Sequence, residues 1–234
     1  MPNVKSIERI LTTFQNEPYN TQEVSDAIGF VKKKIPTEKI ETLKKKYLSI
    51  KEPSIESKYL DVDKFLSRYV RRAVMLDLHQ QKNLSIVDIA TGAGYFPFAC
   101  QALGHQAQAI DVNTSVIYNE MIQALQVNRT HHFIEPYKKL PDVEQRFHVV
   151  TAFAVSFDRY YENENNVSRQ SQGTWNLDEW KFFIEDLMEH YLLPKGLIWI
   201  CLNEREGKTY RQDLPAWIKS IGGVALGKDL LIQR

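Results

Sequence analysis

Hydrophobic residues in the first third of the chain recur every three or four positions, which is the spacing of one face of an α-helix. This spacing predicts four helices, with apolar faces over 7–14, 24–35, 40–47 and 62–76. Asn20 followed by Glu23 has the form of a capping box, so the second helix is expected to begin near residue 21. Residues 1–80 are therefore predicted to be an all-helical extension that walls a ligand site or forms a dimer interface.

From residue 85 onward the pattern changes to apolar runs that alternate with helical periodicity. Alternation of this kind is typical of a mostly parallel sheet with crossover helices on both of its faces. Strands are predicted at 85–89, 106–112, 131–135, 147–155 and 197–203, then at 223–226 and 229–233, and helices at 95–103, 115–126, after Asn176, and at 214–221. The polar stretch 158–176 is interpreted as a long loop. The predicted fold class is α/β and Rossmann-like, with residues 81–234 as its domain.

Composition restricts the classes of protein to consider. The 234 residues are 43% hydrophobic and 25% charged, which is typical of a globular protein. Apolar runs such as 196–202 are much shorter than the roughly 20 residues of a membrane helix, and the first ten residues lack a secretory signal pattern, so we expect a cytoplasmic protein. A net charge of +1 disfavours nucleic acid as a partner. Cys100 and Cys201 lie in apolar runs without metal-ligand spacing, so we predict buried free thiols and no metal site.

The stretch from Ile86 to Pro97 carries the main chemical signal. It runs from a strand through Gly92 and Gly94 into a helix, and the next strand ends at Asp111. Glycine lets the backbone approach a ligand closely, and a carboxylate after the second strand suits the hydroxyls of a ribose. These features fit both a dinucleotide site and a site for S-adenosylmethionine (SAM).

Asp88, inside the first strand, favours SAM over a dinucleotide. A buried carboxylate needs a partner, which a cationic ligand supplies and a pyrophosphate does not. Pro97 also stands where the dinucleotide fingerprint has its third glycine or alanine. A nicotinamide-dependent oxidoreductase therefore stays as the second hypothesis, and a SAM-binding module without catalytic activity as the third.

Residues 86–112 resemble the first two sequence motifs of the class I SAM-dependent methyltransferases. Weaker similarities occur at 139–141, 147–153 and 193–196, whereas Ala90 and His148 depart from the usual pattern. The resemblance implies a methyltransferase sheet in which Asp88 holds the methionine ammonium group, Asp111 binds the ribose hydroxyls and Val112 packs on adenine. It also implies cofactor contacts at the following positions: Ala90, Thr91, Gly92, Gly94, Phe96 and Phe153.

A catalytic base, if the acceptor needs one, belongs at the carboxyl ends of the strands. All six histidines are predicted to lie elsewhere, with His131 and His132 at the start of a strand. The polar residues after the fourth and fifth strands are Ser156, Asp158, Arg159, Tyr160, Asn203, Glu204 and Arg205. Asp158 is taken as the candidate base. The acceptor is expected to be a small molecule methylated at oxygen or nitrogen.

Overall fold

The computed structural model describes residues 7, 10, 21–51, 54–155, 157–163, 166–203 and 213–234, and within 159–163 and 166–172 it describes the backbone. The chain divides into two compact units, Met1–His131 and His132–Arg234. The predicted boundary at residue 80, between a helical extension and a catalytic domain, is a different division and stays a prediction.

The first unit begins with helices, as expected. They are α1 (Gln22–Lys32), α2 (Thr37–Leu48), a 3-10 helix (Ile55–Leu60) and α3 (Val62–Met75). The N-cap of α1 is Thr21, whose side chain accepts a hydrogen bond from the N–H of Val24. This cap lies one position after the predicted Asn20, which is outside the described residues. A threonine hydroxyl satisfies one of the unpaired N–H groups of the first helical turn.

The rest of the first unit alternates strands and helices. Its elements are β1 (Ser85–Ile89), α4 (Tyr95–Ala102), β2 (Gln106–Asp111), α5 (Val116–Ala124) and β3 (Asn128–His131). β1 pairs with β2 and β2 with β3, both in parallel. The buried residues of β1 form a continuous run, which is typical of a strand covered on both sides.

The third strand was predicted at 131–135, and this is wrong. Gln126 adopts a left-handed backbone (φ 56°) after α5, and the chain turns there into β3 at Asn128. His131 is consequently the last residue of its strand and pairs in register with Asp111. It lies at the carboxyl end of the strand, and the prediction that placed it at the opposite end is wrong as well.

The second unit contains four strands of the main sheet and a separate hairpin. Its elements are β4 (Phe147–Val155), β5 (Asp158–Asn163), β6 (Asn166–Thr174), α6 (Leu177–Asp186), a π-helical turn (Leu187–Tyr191), β7 (Leu192–Leu202), α7 (Asp213–Ser220), β8 (Val224–Leu226) and β9 (Asp229–Gln233). β4 pairs with β7 in parallel, whereas β9 pairs with β7 and β8 antiparallel. Asn176 and Glu179 form the capping box of α6. β7 starts five residues before its predicted start of 197. The register between β4 and β7 shifts just before the pair Val149 and Leu197, close to Lys195, which has a positive φ.

The stretch 158–176 is not the irregular loop that the sequence indicated. β5 and β6 pair antiparallel and form a two-stranded hairpin. At its base, the N–H of Trp175 donates to the carbonyl of Phe157 at 3.0 Å. The rings of Phe157 and Trp180 lie 4.3 Å apart and that of Trp175 packs against both, which anchors the base of the hairpin to α6. Pairing satisfies the backbone of a polar segment that has no apolar face to bury.

The predicted fold class is confirmed. The main sheet has seven strands in the order β3-β2-β1-β4-β7-β9-β8 and is mostly parallel. Helices connect β1 to β2, β2 to β3 and β4 to β7, and further helices precede β1. In the part of the chain that the structure describes, no helix is both long and apolar enough to cross a bilayer.

Candidate functional site

A tight turn joins β1 to α4. Three of its five residues have positive φ angles: Ala90 (54°), Gly92 (60°) and Gly94 (78°). The N–H of Ala90 donates to the carbonyl of Ile110 at 2.7 Å, which ties the turn to β2. Glycine is favoured at residue 94 by this left-handed backbone, and a Cβ added there would lie 3.0 Å from Cδ1 of Ile122, which would have to shift slightly. The glycine turn predicted from the sequence is therefore present. Ala90 adopts a left-handed backbone conformation that is usually occupied by glycine.

Asp111 connects the glycine turn to the end of β2. Its Oδ2 accepts a hydrogen bond from the N–H of Gly92 at 2.6 Å, and its Oδ1 accepts one from the N–H of Val112 at 2.7 Å. Asp111 is 8% exposed. Burial raises the pKa of the carboxyl to about 6, although both hydrogen bonds and the nearby Arg129 act to lower it. The carboxylate is thus fixed in direction and only partly solvated, with lone pairs left for further donors.

Asp88 is held by the protein. It is 2% exposed, and its Oδ2 accepts a hydrogen bond from the hydroxyl of Thr91 at 2.6 Å. Its charge contributes to the raised pKa of both Tyr69 and Cys100, which places the carboxylate close to these two buried side chains. The structure therefore gives Asp88 a role inside the turn. Its predicted contact with an ammonium group stays a prediction, and Asp88 does not separate SAM from a dinucleotide.

The other predicted cofactor contacts have different surroundings. Val112 is half-buried beside Asp111, whereas Thr91 is buried and bound to Asp88. Phe96 has no exposed surface and packs near Tyr69, with its backbone in the first turn of α4. In the second unit, Phe153 is buried against Trp199, their ring centroids 5.0 Å apart. The side chains of Phe96 and Phe153 thus have packing roles, and their contact with a cofactor remains a prediction.

Asp158, the predicted base, is the first residue of β5 and is 4% exposed. β4 ends nearby in sequence with a register shift at Ala154, whose φ is 58°. Among the other candidates, Asn203 follows β7 and donates its N–H to the carbonyl of Val155 at 3.1 Å. Ser156, Glu204 and Arg205 lie outside the described residues, and of Arg159 and Tyr160 the structure describes the backbone.

Aromatic side chains surround the glycine turn in the first unit, an arrangement that the sequence pattern did not indicate. The ring of Tyr118, in α5, comes within 3.7 Å of the position of a Cβ at Gly92. Tyr59, from the 3-10 helix, meets Tyr118 edge to face, with their ring centroids 5.2 Å apart. The hydroxyl of Tyr95 donates to the carbonyl of Tyr59 at 2.6 Å. The segment before β1 is thereby attached to the turn.

Neither a protein-family model nor a curated protein sequence matches the chain. Solved structures are similar to it. A ribosomal protein L11 methylase from Lactobacillus delbrueckii subsp. bulgaricus has 17% identity and a TM-score of 0.42, over 71% of this chain and 78% of its own. DesVI of Streptomyces venezuelae has 11% identity and a TM-score of 0.40, over 58% of this chain and 50% of its own.

The glycopeptide N-methyltransferase MtfA, in complex with SAM, has 14% identity and a TM-score of 0.37, over 65% of this chain and 59% of its own. The chain thus spans about half the length of DesVI and somewhat more of MtfA. From likenesses at this level we infer nothing about the chemistry of this chain. The assignment of a Rossmann-like fold rests on the strand order and directions.

Several side chains outside the turn confirm the sequence interpretation or add to it. Cys100 and Cys201 are buried thiols that are not joined in a disulfide, as predicted. His105 is a packing residue, because its Nδ1 accepts from the N–H of Leu84 and its Nε2 lies 2.7 Å from the carbonyl of Leu78. Arg129, in β3, was missed by the sequence reasoning although it influences Asp111. Its position became meaningful only once the register of β3 against β2 was known.

Proposed function

We propose that this protein is a SAM-dependent methyltransferase that acts on a small-molecule acceptor at oxygen or nitrogen. The observation that carries the proposal is the Asp111 carboxylate, buried at the end of β2 and oriented by the N–H groups of Gly92 and Val112. A carboxylate fixed in this way can accept hydrogen bonds from two neighbouring ribose hydroxyls, and each such charge-assisted bond is worth about 1.5–3 kcal/mol.

The residues of the first unit fit an adenosine-bearing ligand. At Gly92 the nearest atoms to an added Cβ belong to the ring of Tyr118 at 3.7 Å, which is an ordinary van der Waals contact, so the backbone of the turn is not closely covered there. Gly94 caps α4, and a helix N-terminus offers N–H groups to a carboxylate such as that of a methionine moiety. Val112 is half-buried and available to an adenine ring. Bound SAM would supply an electrophilic methyl group on a sulfonium ion.

The protein's contribution to methyl transfer is chiefly to place the acceptor for in-line attack. A base is needed when the acceptor atom carries a proton at working pH, and Asp158 is the group proposed for it. Asp158 is buried in the second unit, and because aspartate is rarely buried, this supports a functional role for its carboxylate.

The segment before β1 is proposed to act as a lid. Tyr59 reaches the glycine turn through Tyr118, and Tyr95 fixes the backbone of Tyr59. The competing role for these helices is dimerisation. Replacing Tyr59 with alanine in the full chain should lower turnover and SAM affinity while the mass in light scattering stays unchanged. A halved mass would instead support the dimer interface.

Calorimetric titration with SAM and with NAD tests the proposed function. SAM should bind in a one-to-one ratio, and NAD should give no heat. Asp111→Ala should weaken SAM binding at least tenfold, because two charge-assisted hydrogen bonds are lost. Asp26→Ala, which removes an exposed carboxylate from α1, should leave SAM affinity unchanged. Binding of NAD in place of SAM would overturn the proposal.

A further inference from the structure

Two side chains form a relay that holds the loop between β2 and α5. Arg129 donates from Nη1 to the carbonyl of Val112 at 3.3 Å and from Nη2 to Oδ1 of Asn119 at 2.6 Å. Asn119 in turn donates from Nδ2 to the carbonyl of Asn113 at 2.8 Å. Two consecutive carbonyls of the loop are therefore fixed by one guanidinium. These carbonyls directly follow Asp111 in the chain.

The charge of Arg129 also acts on Asp111. Arg129 pairs in register with Ala109, two positions before Asp111 on β2. Its two hydrogen bonds go to neutral oxygens, and its Nε is buried without a hydrogen-bond partner among the residues that the structure describes. Within that part of the chain no carboxylate forms an ion pair with it, so its field is available to the partly desolvated carboxyl of Asp111.

The groups that face Asp111 come from two elements, from the glycine turn and from the loop after β2. The turn contributes the N–H of Gly92, β3 contributes Arg129, and α5 contributes the phenol of Tyr118, whose own pKa Asp111 helps to raise. The N–H of Val112 completes the set. Among these groups the guanidinium is the cation, so its removal should disfavour the ionised carboxylate.

We propose that Arg129 is a positioning residue for the nucleotide part of the site, which holds both the loop after β2 and the Asp111 carboxylate ready for ribose and adenine. This inference rests on the proposed function, because it takes the ligand at Asp111 to be an adenosine derivative. Arginine suits the role better than lysine, since its planar fork makes the two hydrogen bonds at once.

Three substitutions separate the two parts of this role. Arg129→Met removes the charge and the fork, Arg129→Lys keeps the charge without the fork, and Asn119→Ala breaks the relay while the guanidinium stays. At pH 8 each should weaken SAM about threefold to tenfold, the loss expected for one or two net hydrogen bonds. Methylthioadenosine should lose affinity by the same factor, because the loop acts on the nucleoside and not on the methionine.

A second measurement needs no ligand. The carboxyl carbon resonance of Asp111, followed by pH titration in the free protein, should have a higher midpoint in Arg129→Met than in the unaltered protein. It should stay in place in Arg129→Lys and in Asn119→Ala. The pH at which SAM affinity begins to fall, measured by calorimetry, should likewise be higher in Arg129→Met and unchanged in Arg129→Lys and Asn119→Ala.

The outcomes distinguish this inference from the proposed function. If the unaltered protein binds no SAM, the proposed function fails, while the Asp111 titration still shows whether Arg129 controls the carboxylate. If SAM binds but a folded Arg129→Met protein keeps both its Asp111 midpoint and its SAM affinity, the positioning role is overturned. Should Arg129→Met fail to fold, unchanged affinities in both Arg129→Lys and Asn119→Ala would overturn it equally.

Discussion

The carboxyl ends of β2 and β4 are built in different ways. At the end of β2, Asp111 is oriented by two backbone N–H groups, and the adjoining turn has three residues in left-handed conformations. At the end of β4, a register shift at Ala154 leads into a polar hairpin that is anchored by aromatic rings at its base. The first arrangement consists of main-chain geometry and one acid, whereas the second is a backbone-paired hairpin on a packed aromatic base.

This difference explains why the sequence indicates the proposed cofactor and does not indicate the methyl acceptor. Main-chain geometry with positive φ restricts residue types to glycine or a few others, so the proposed cofactor site is visible in the sequence. A hairpin keeps its backbone pairing with many side chains, so an acceptor bound there would leave little trace in the sequence. The predictions below probe the two regions separately, starting from the largest expected effect.

Asp158→Asn tests the region after β4. If Asp158 is the base, kcat should fall by about 100-fold to 10,000-fold, the usual contribution of general base catalysis. SAM affinity should stay the same, because the cofactor is assigned to the first unit. Asp178→Asn, at an exposed position in the first turn of α6, is the control. Equal turnover in both variants would remove Asp158 from the mechanism.

The pH dependence of SAM affinity tests Asp111. The pKa of its carboxyl lies at about 6 in the folded protein, and the proposed hydrogen bonds from ribose hydroxyls need the ionised form. Affinity should be constant above pH 7 and should fall about tenfold by pH 5, as 1.4 kcal/mol corresponds to one pH unit. Calorimetry between pH 5 and pH 8 measures it, and a flat profile would contradict the assignment.

The same carboxyl should affect stability in the opposite direction. Its folded-state pKa of about 6 lies above the ordinary value of 3.8, so between these values the native protein binds more protons than the unfolded chain. The contribution of Asp111 to the free energy of unfolding therefore decreases as pH rises from 3.8 to about 6. Comparing denaturant unfolding of the unaltered protein and Asp111→Asn over this range isolates that contribution.

Gly94→Ala should destabilise the turn by about 1–2 kcal/mol, because a side chain is disfavoured in the left-handed region. The added Cβ would also press on Ile122 at 3.0 Å. Gly29→Ala is a matched control: this glycine lies inside α1, with no heavy atom within 4 Å of an added Cβ. It should gain about 0.5–1 kcal/mol from its lower entropy in the unfolded chain. Denaturant titration of both variants compares them, and equal effects would show that the turn is unstrained.

Ala90→Gly should have the smallest effect and should be favourable. Glycine relieves the left-handed backbone of residue 90, and its greater unfolded-state entropy offsets part of the gain, which leaves about 0.5 kcal/mol. A small rise in the midpoint of denaturant unfolding is the expected result. A loss of stability would mean that the methyl group of Ala90 packs more favourably than its backbone conformation costs.

The elements that the sequence placed well are those with strong apolar patterns. β1 and β4 have the predicted bounds because both are nearly continuous runs of buried residues. β3 was displaced because its residues, Asn128–His131, are polar and largely exposed. The hairpin was missed for a similar reason, since neither of its strands has the alternating apolar pattern of a half-buried strand.

The candidate site was predictable only in part. Asp111 and the glycines stand at strand ends, where the type of residue and its place in the chain are sufficient. The positions of Tyr118 and Arg129 near the site depend on which face of α5 points toward the turn and on the register of β3 against β2. A single sequence supplies neither. Asp88 shows the opposite case: its residue type suggested a ligand contact, and the structure gives it Thr91 as a partner.

The position of the ribose in a crystal structure with SAM tests the central claim most directly. We predict that both ribose hydroxyls donate to the carboxylate of Asp111 over about 2.5–3.0 Å, the usual range for such bonds. The N–H groups of Gly92 and Val112 should keep their contacts with the same carboxylate. A ribose bound elsewhere, with Asp111 left in contact with these two amides alone, would contradict the account.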